Sequence, residues 1–254
     1  MDQLLTIFAS KGGLILAALV VFLVLERLFP VARWVGGLWR VLKNFGLAGF
    51  NALLSPLIVL PITQFASGHA WDWRPDAWTG GWFILFDLLL LDCWIYWWHR
   101  VNHVFPVLWR FHEVHHLDET LDASSALRFH FGEVLLSSLV RAAVIILLNI
   151  PFTSVVLFEV VVAVSAIFQH SNLRLAGWLE RPLSWLIVTP SIHWVHHHAI
   201  RRDTDSNYAA ILSVWDRIFG SRSSTIRTPD MPIGVQGLRD RAGVELVTRP
   251  FRQR

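Results

Sequence analysis

Five apolar runs, each close to the length of a membrane-spanning helix, constrain this chain more than any other feature. A hydrocarbon core of about 30 Å takes roughly 20 apolar residues in helical form. The 254 residues are 54% hydrophobic and 16% charged, which is too apolar for an ordinary water-soluble domain. We therefore expect an all-α, integral-membrane bundle of about four to five spanning or re-entrant helices. The runs cover approximately residues 13–29, 46–65, 81–98, 134–150 and 153–168.

The loops between the runs predict the orientation. Arg33, Arg40 and Lys43 follow the first run, whereas the Trp-rich tract 67–80 holds one basic residue and is typical of an interfacial turn. Loops rich in Lys and Arg stay cytoplasmic, so the N-terminus is expected outside. The N-terminus lacks a basic n-region followed by a small-residue cleavage site, so the first run is expected to be a retained span. The membrane is a bacterial inner membrane or the endoplasmic reticulum.

The same topology divides the chain into a membrane domain and a tail. Residues 1–220 form a single domain, and residues 221–254 form a polar, weakly structured tail. Two His-rich segments, 99–130 and 170–220, fall on the cytoplasmic side. The basic residues are scattered among apolar segments and form no basic face interleaved with aromatics, so nucleic acid is not an expected partner.

The histidines carry the candidate chemistry. Residues three or four apart on a helix share one face, with Cβ atoms about 5 to 6 Å apart, so HRVNH, HEVHH and HWVHH can each aim two or three imidazoles at one point. Imidazole suits iron, copper, nickel and zinc, and one zinc takes about four ligands. Eight clustered histidines exceed one site, which predicts a metal pair with iron as first choice. The eight are His99 and His103; His112, His115 and His116; and His193, His196 and His197, while His170 stands alone as a further candidate.

Other residues are assigned by position. Asp92 and Tyr96 share a helix face with His99 and His103, and one or the other is a candidate to fix these rings by hydrogen bonding. His130 starts the fourth run on the correct side, and its role stays open between ligand, outer hydrogen-bond partner and channel residue. The remaining histidines, His69 and His198, are expected to be structural.

The ordered motifs resemble the fatty acid hydroxylase and sterol desaturase superfamily over roughly residues 26–220. The resemblance implies transmembrane helices capped by a cytosolic helical domain that holds two iron ions. It rests on Asp92-x-x-x-Tyr96-x-x-His99-Arg100-x-x-His103, Trp109-x-x-His112-x-x-His115-His116, Arg128-x-His130, Gln169-His170-Ser171-Asn172, Pro190-x-x-His193-x-x-His196-His197, Asp205-x-Asn207-Tyr208 and Trp215-Asp216-x-x-Phe219-Gly220.

The resemblance also implies a site and a reaction. The activity is O2-dependent hydroxylation, desaturation or ether cleavage of a lipid. Phe131 and Ala209 depart from the Pro and Gly that the family often has there, which bears on backbone shape and substrate fit. The expected ligands are His99, His103, His112, His115, His116, His193, His196 and His197 with His170 as a ninth, and His130, Asp92, Tyr96 and Asn207 are candidates for a ligand or outer hydrogen-bonding role.

Partners and alternatives complete the predictions. No Gly-rich dinucleotide fingerprint follows a strand pattern in the sequence, so external electrons are expected from a separate ferredoxin or cytochrome b5 system with its reductase. Two other functions stay open: a membrane zinc hydrolase with Glu113 as base, and a non-enzymatic metal transporter or sensor. The lipid, the oxidised carbon and the oligomeric state are not fixed by the sequence.

Overall fold

The chain is almost entirely helical. The computed structural model describes residues 2–75, 78, 81–241 and 243–252, with side chains from Ser10 onward. Within these ranges there are isolated β-bridges but no strand, which confirms the all-α prediction. The helices are α1 (Asp2–Leu28), α2 (Gly37–Leu54), α3 (Val59–Gly68), α4 (Gly81–Val104), α5 (Pro106–His116), α6 (Phe131–Leu148), α7 (Phe152–His170), α8 (Gly177–Leu186), α9 (Pro190–His196), α10 (Arg201–Thr204), α11 (Val214–Ile218) and α12 (Gly243–Thr248), with 3₁₀ turns at Ala123–Leu127 and Arg249–Phe251.

Three described helices, α4, α6 and α7, are long and apolar enough to cross a membrane, or up to four spans if α2 and α3 count as one. That pair bends by 44° at residues 55–58, where Pro56 cannot donate a helical hydrogen bond. With the bent pair counted as one span, the number reaches the lower end of the four to five spanning or re-entrant helices predicted. Helix α1 is not among these candidates and carries Lys11, Glu26 and Arg27. Of the predicted interfacial turn, residues 76, 77, 79 and 80 lie outside the described residues.

The long helices position a smaller helical cap, which we define as residues 105–130 and 171–252. Helix α6 packs on α3, whereas α7 packs on α1 and on the Ala123–Leu127 turn. The cap is attached through α5, which packs on α4, and α9, which packs on α7. A buried cluster that includes Leu91, Ile145 and Phe158 joins α4, α6 and α7. The His motifs of four different helices therefore meet where the bundle joins the cap.

Residues 221–241 and 243–252 pack against the rest of the cap, whereas the sequence predicted a weakly structured tail. The Gly234 amide donates to the His197 carbonyl at 3.1 Å. Leu246 is fully buried against Leu47 and Val114. The polar composition was misleading because a few apolar side chains and backbone hydrogen bonds anchor this segment.

Candidate metal centre

The structure brings all nine predicted imidazoles together, in two adjacent groups. In each group, one ring nitrogen per residue can be chosen so that all lie within 4.8 Å of one another. One ring of each group, His116 and His197, stack with centroids 4.3 Å apart, so the groups touch. Eight of the nine are buried, and His99 is partly exposed. The first group, called the five-His group, holds His99, His103, His112, His116 and His196; the second, the four-His group, holds His115, His170, His193 and His197.

Short helices place the clustered rings. Pro106 and Pro190 stand at the start of α5 and α9, where a residue without an N–H fits the first helical turn. Spacings of three and four residues then put rings of each helix on one face. Helix α4 supplies His99 and His103, α5 supplies His112, His115 and His116, α7 ends in His170, and α9 with its C-cap supplies His193, His196 and His197.

Hydrogen bonds fix the tautomers in the five-His group. His99 donates through Nδ1 to the Tyr208 carbonyl at 2.8 Å, and His112 donates through Nδ1 to Glu133 Oε1 at 2.8 Å. Carbonyl and carboxylate oxygens only accept, so each neutral ring keeps its proton on Nδ1 and carries a lone pair on Nε2. These two Nε2 atoms are 3.1 Å apart. Two facing lone pairs repel each other unless a cation lies between them.

The four-His group repeats this arrangement. His115 donates through Nδ1 to the Arg128 carbonyl at 3.2 Å, and His170 donates through Nδ1 to the Ala166 carbonyl at 2.6 Å. Their Nε2 atoms are 3.0 Å apart. Both groups therefore present convergent lone pairs, which is the arrangement that a metal ion requires of neutral imidazoles.

The nitrogen separations also suit ligands of one ion. Two ligands at right angles, each with a bond of about 2.1 Å, are about 3.0 Å apart. The Nε2 atoms of His112 and His116 are 3.1 Å apart, and that of His193 lies 3.0 Å from His170 and 3.2 Å from His197. The Nε2 atoms of His103 and His196 are buried and have no hydrogen-bond partner within the described part of the chain. The donor set fits two ions that accept nitrogen ligands.

Burial lowers the pKa of five histidines that the cap contributes to the two groups. It lowers the pKa of His196 to about 3, because an imidazolium ion loses its hydration inside the protein. Burial also holds the pKa values of His115, His116, His193 and His197 well below the usual value, and neighbouring imidazoles lower them further. Neutral imidazole is the form that binds metal, so these rings are ready ligands at neutral pH.

Sequence comparison identifies the family. A sequence model of the fatty acid hydroxylase family matches residues 84–221, which is more than half of the chain and includes all nine histidines. The chain belongs to the fatty acid hydroxylase family. No solved structure shows significant similarity to it.

The relatives of this fatty acid hydroxylase family member are lipid-modifying enzymes by name. The ornithine lipid hydroxylase OlsE of Rhizobium tropici is 27% identical over 196 residues, which is 77% of this chain and 58% of that protein. The alkylglycerol monooxygenase of Danio rerio is 31% identical over 68% of this chain and 39% of its own length. The cholesterol 25-hydroxylase of Homo sapiens is 28% identical over 59% of this chain and 53% of its own length. The chain thus spans less than two thirds of each of these relatives.

Asp92 and Tyr96 act on the histidines indirectly, through the segment that carries Tyr208. Asp92 accepts from the Leu212 amide at 3.0 Å and from Trp215 Nε1 at 2.8 Å, and the Tyr96 hydroxyl bonds to Ser221 Oγ at 2.8 Å. These bonds hold the segment that carries Tyr208, whose carbonyl accepts from His99. The expectation that Asp92 or Tyr96 bonds directly to the rings is wrong, because the loop 207–221 lies between them.

The other predicted residues near the centre have structural contacts. His130 accepts from the Gly132 amide through Nδ1 and donates through Nε2 to the Val247 carbonyl, so both ring nitrogens are used. Asn207 donates to the Ile192 carbonyl at 3.1 Å and adopts φ of 51°. His198 donates to Asp203 at 2.7 Å. The exposed His69 bonds to the Phe65 carbonyl, and none of these four belongs to either group.

Several partners of the rings are absent from the sequence-based prediction. Glu133 is the clearest, and an acidic residue in the first turn of an apolar helix was the available signal. Asp205 accepts from His103 Nδ1 at 3.3 Å, and lies in a motif that the resemblance includes. The other partners are backbone carbonyls, which every residue has, so residue types could not predict them. They belong to Tyr208, Arg128, Ala166 and Ser206.

A cavity of about 440 Å³ adjoins the two groups. His99, His112, His115, His170 and His193 line one part of it. Apolar side chains line much of the rest, among them Trp94, Ile95, Phe158 and Val162. Its volume and lining suit a hydrocarbon chain next to the metal centre.

Glu113, the base of the hydrolase alternative, does not face the rings as a free carboxylate. Its Oε2 accepts from Arg249 Nε at 2.6 Å, and it belongs to neither histidine group. The expected base is thus part of an ion pair with the C-terminal segment.

Proposed function

We propose that this chain is a membrane-bound, O2-dependent di-iron oxidoreductase that hydroxylates, or desaturates, a C–H bond of a lipid such as a fatty acyl chain or a sterol. The observation that carries the proposal is the pair of imidazole groups beside an apolar cavity. An unactivated C–H bond offers neither an acidic proton nor a leaving group. Side chains acting as base or nucleophile therefore cannot break it alone.

Two ions are proposed because nine nitrogen ligands exceed the roughly four that a single zinc takes. Iron is the proposed metal because oxidation of a C–H bond needs a redox-active ion, which zinc is not. Two irons in these groups would supply, with O2, the oxidising power that the side chains lack. The protein would hold the ions through Nε2 atoms and fix the tautomers through partners such as Glu133 and the Tyr208 carbonyl. The apolar cavity would align the chain and exclude bulk water.

The reaction requires external electrons. Hydroxylation of R–H consumes O2, two electrons and two protons, and yields R–OH and water. We propose a separate donor of the ferredoxin or cytochrome b5 type, and a substrate that enters from the bilayer. The cap is proposed to face the cytoplasm, because two basic residues of the first turns of α2 pair with it: Arg40 with Asp118 and Asp122, and Lys43 with Asp240.

Isotope labelling tests the proposal. Lipids from cells that express the protein under ¹⁸O2 are compared with lipids from cells that express His193→Ala. We expect ¹⁸O in an alcohol of one lipid class, or an extra double bond, in the wild type alone. A cleaved lipid whose new oxygen is unlabelled, and therefore comes from water, would instead indicate a hydrolase. Lipids that do not differ between the two strains would overturn the proposal.

A further inference from the structure

Besides the histidines and Glu133, the partner of His112, three more charged side chains line the cavity. They are Lys11 of α1, Arg141 of α6 and Glu159 of α7, which we call the charged cluster. Glu159 Oε1 contacts Arg141 Nη2 at 2.6 Å, and Glu159 Oε2 pairs with Lys11. The cluster therefore ties three helices together inside an otherwise largely apolar cavity.

The charged cluster lies two to three helical turns away from the histidines along α6 and α7. Glu159 precedes His170 on α7 by eleven residues, which is about 16 Å at 1.5 Å per residue. On α6, Arg141 follows Glu133, the partner of His112, by eight residues, or about 12 Å. The cavity thus runs along α6 and α7 with histidines near one end and charges near the other.

The charges have the sign to bind an anion. The cluster contains two cations and one carboxylate, and lies in segments of α6 and α7 that are apolar enough to span a membrane. Ionisable residues at such depth are costly and mark ligand sites. The Arg141 side chain is 10% exposed, and its Nε is buried without a hydrogen-bond partner among the described residues. An oxyanion in the cavity would give this guanidinium a second partner.

We propose that the charged cluster binds the anionic group, a carboxylate or a phosphate, of the lipid whose chain reaches the metal centre. The cluster would then determine which carbon is oxidised, and this consequence rests on the proposed function. The binding of the anionic group to the cluster does not depend on that function. An extended chain advances about 1.2 Å per bond, since three backbone bonds of a residue span about 3.6 Å. A separation of about 16 Å corresponds to roughly 13 bonds between the anionic group and the oxidised carbon.

Competition binding tests the anion site. The full chain in nanodiscs of zwitterionic lipid is equilibrated with tritiated hexadecanoate, and unlabelled hexadecanoate, hexadecyl phosphate, hexadecanol and hexadecyltrimethylammonium compete. We expect at least one of the two anions to displace the label at about ten-fold lower concentration than the alcohol, and the cation not to compete. The order of the two anions tells carboxylate from phosphate. Equal competition by alcohol and both anions would overturn the inference.

Charge variants separate recognition from a structural role. Arg141→Gln should remove the preference for anions, and Arg141→Lys should restore part of it. Glu159→Gln removes the carboxylate that competes with a bound anion for Arg141, so anion binding should tighten, whereas a cluster that only joins helices predicts weaker binding. Arg74→Gln is the control, because Arg74 forms a buried ion pair with Asp87 at 2.7 Å and does not line the cavity. Weaker anion binding in Glu159→Gln, in a protein that folds as the control does, contradicts the inference.

The product position provides the second test. With carboxylates of different length, the oxidised carbon should stay at a constant number of bonds from the carboxylate. A position that is constant only from the methyl end would overturn the inference. Anion-selective binding without any oxidised product would contradict the proposed function and leave the anion site standing.

Discussion

At the residue scale, the candidate metal centre depends on acceptors that fix each ring. The Nδ1 partners of His99, His112 and His196 are oxygens that cannot donate in return, so the lone pair is left on Nε2. One of them, Glu133, is a side chain and can be replaced without altering the backbone. Replacing Glu133 is therefore the most direct test of whether these hydrogen-bond acceptors hold the imidazoles in place.

Replacing Glu133 should weaken metal binding without removing a ligand. In Glu133→Leu, His112 loses its acceptor, and metal affinity should fall by about 10- to 100-fold. Glu133→Gln keeps an amide oxygen that can accept from His112, so its effect should be smaller. Chelator competition measures both variants. Wild-type affinity in Glu133→Leu would show that His112 is not held in this way.

At the element scale, the spacing of residues along the sequence predicted which side chains share a helix face. It did not predict which segments pack against those faces. The His motifs on α4, α5 and α9 were predictable because residues three and four apart share a face whatever the tertiary fold is. The partners of Asp92 were not, since a helix face gives a direction and not the loop that will lie there. The break between α2 and α3 had a local cause in Pro56 and was still missed, because hydropathy alone does not distinguish one straight helix from two.

His130 illustrates an element-scale role that spacing could not assign. It is the N-cap of α6 and is bonded to the Val247 carbonyl. His130→Ala should destabilise the protein by about 2 kcal/mol, from the lost cap and the unpaired carbonyl, and leave metal content unchanged.

Denaturation in detergent and metal analysis measure this change. In the matched variant His130→Asn, the side chain can still cap α6, so only about half of the loss is expected. Loss of one metal ion in His130→Ala would assign His130 to the centre.

At the scale of the whole molecule, the C-terminal segment closes the cap over the metal centre. Arg128 is fully buried, donates through Nε to the Val114 carbonyl at 2.9 Å and pairs with Asp240. The carbonyl of the same residue accepts from His115. The Arg128–Asp240 pair joins residues 112 positions apart, which is why local sequence patterns did not predict an ordered tail.

The Asp240 ion pair should therefore be worth far more than an exposed one. Asp240→Ala leaves the buried Arg128 charge without its carboxylate, and should cost about 3 kcal/mol, the lower end for a broken buried pair because the Asp240 side chain is 15% exposed. Glu245→Ala, which removes an exposed pair with Arg241 in the same segment, should change stability by less than about 0.5 kcal/mol. Equal effects of the two variants in denaturation curves would contradict the buried ion pair.

The most direct test of the central claim is the metal content of the protein purified from iron-supplemented cells. About two irons per chain are expected, one for each histidine group. His196→Ala should lose iron from the five-His group and His115→Ala from the four-His group, whereas His198→Ala should keep both ions because its ring bonds to Asp203. A single zinc in the wild type, or a full metal load in either ligand variant, would contradict the account.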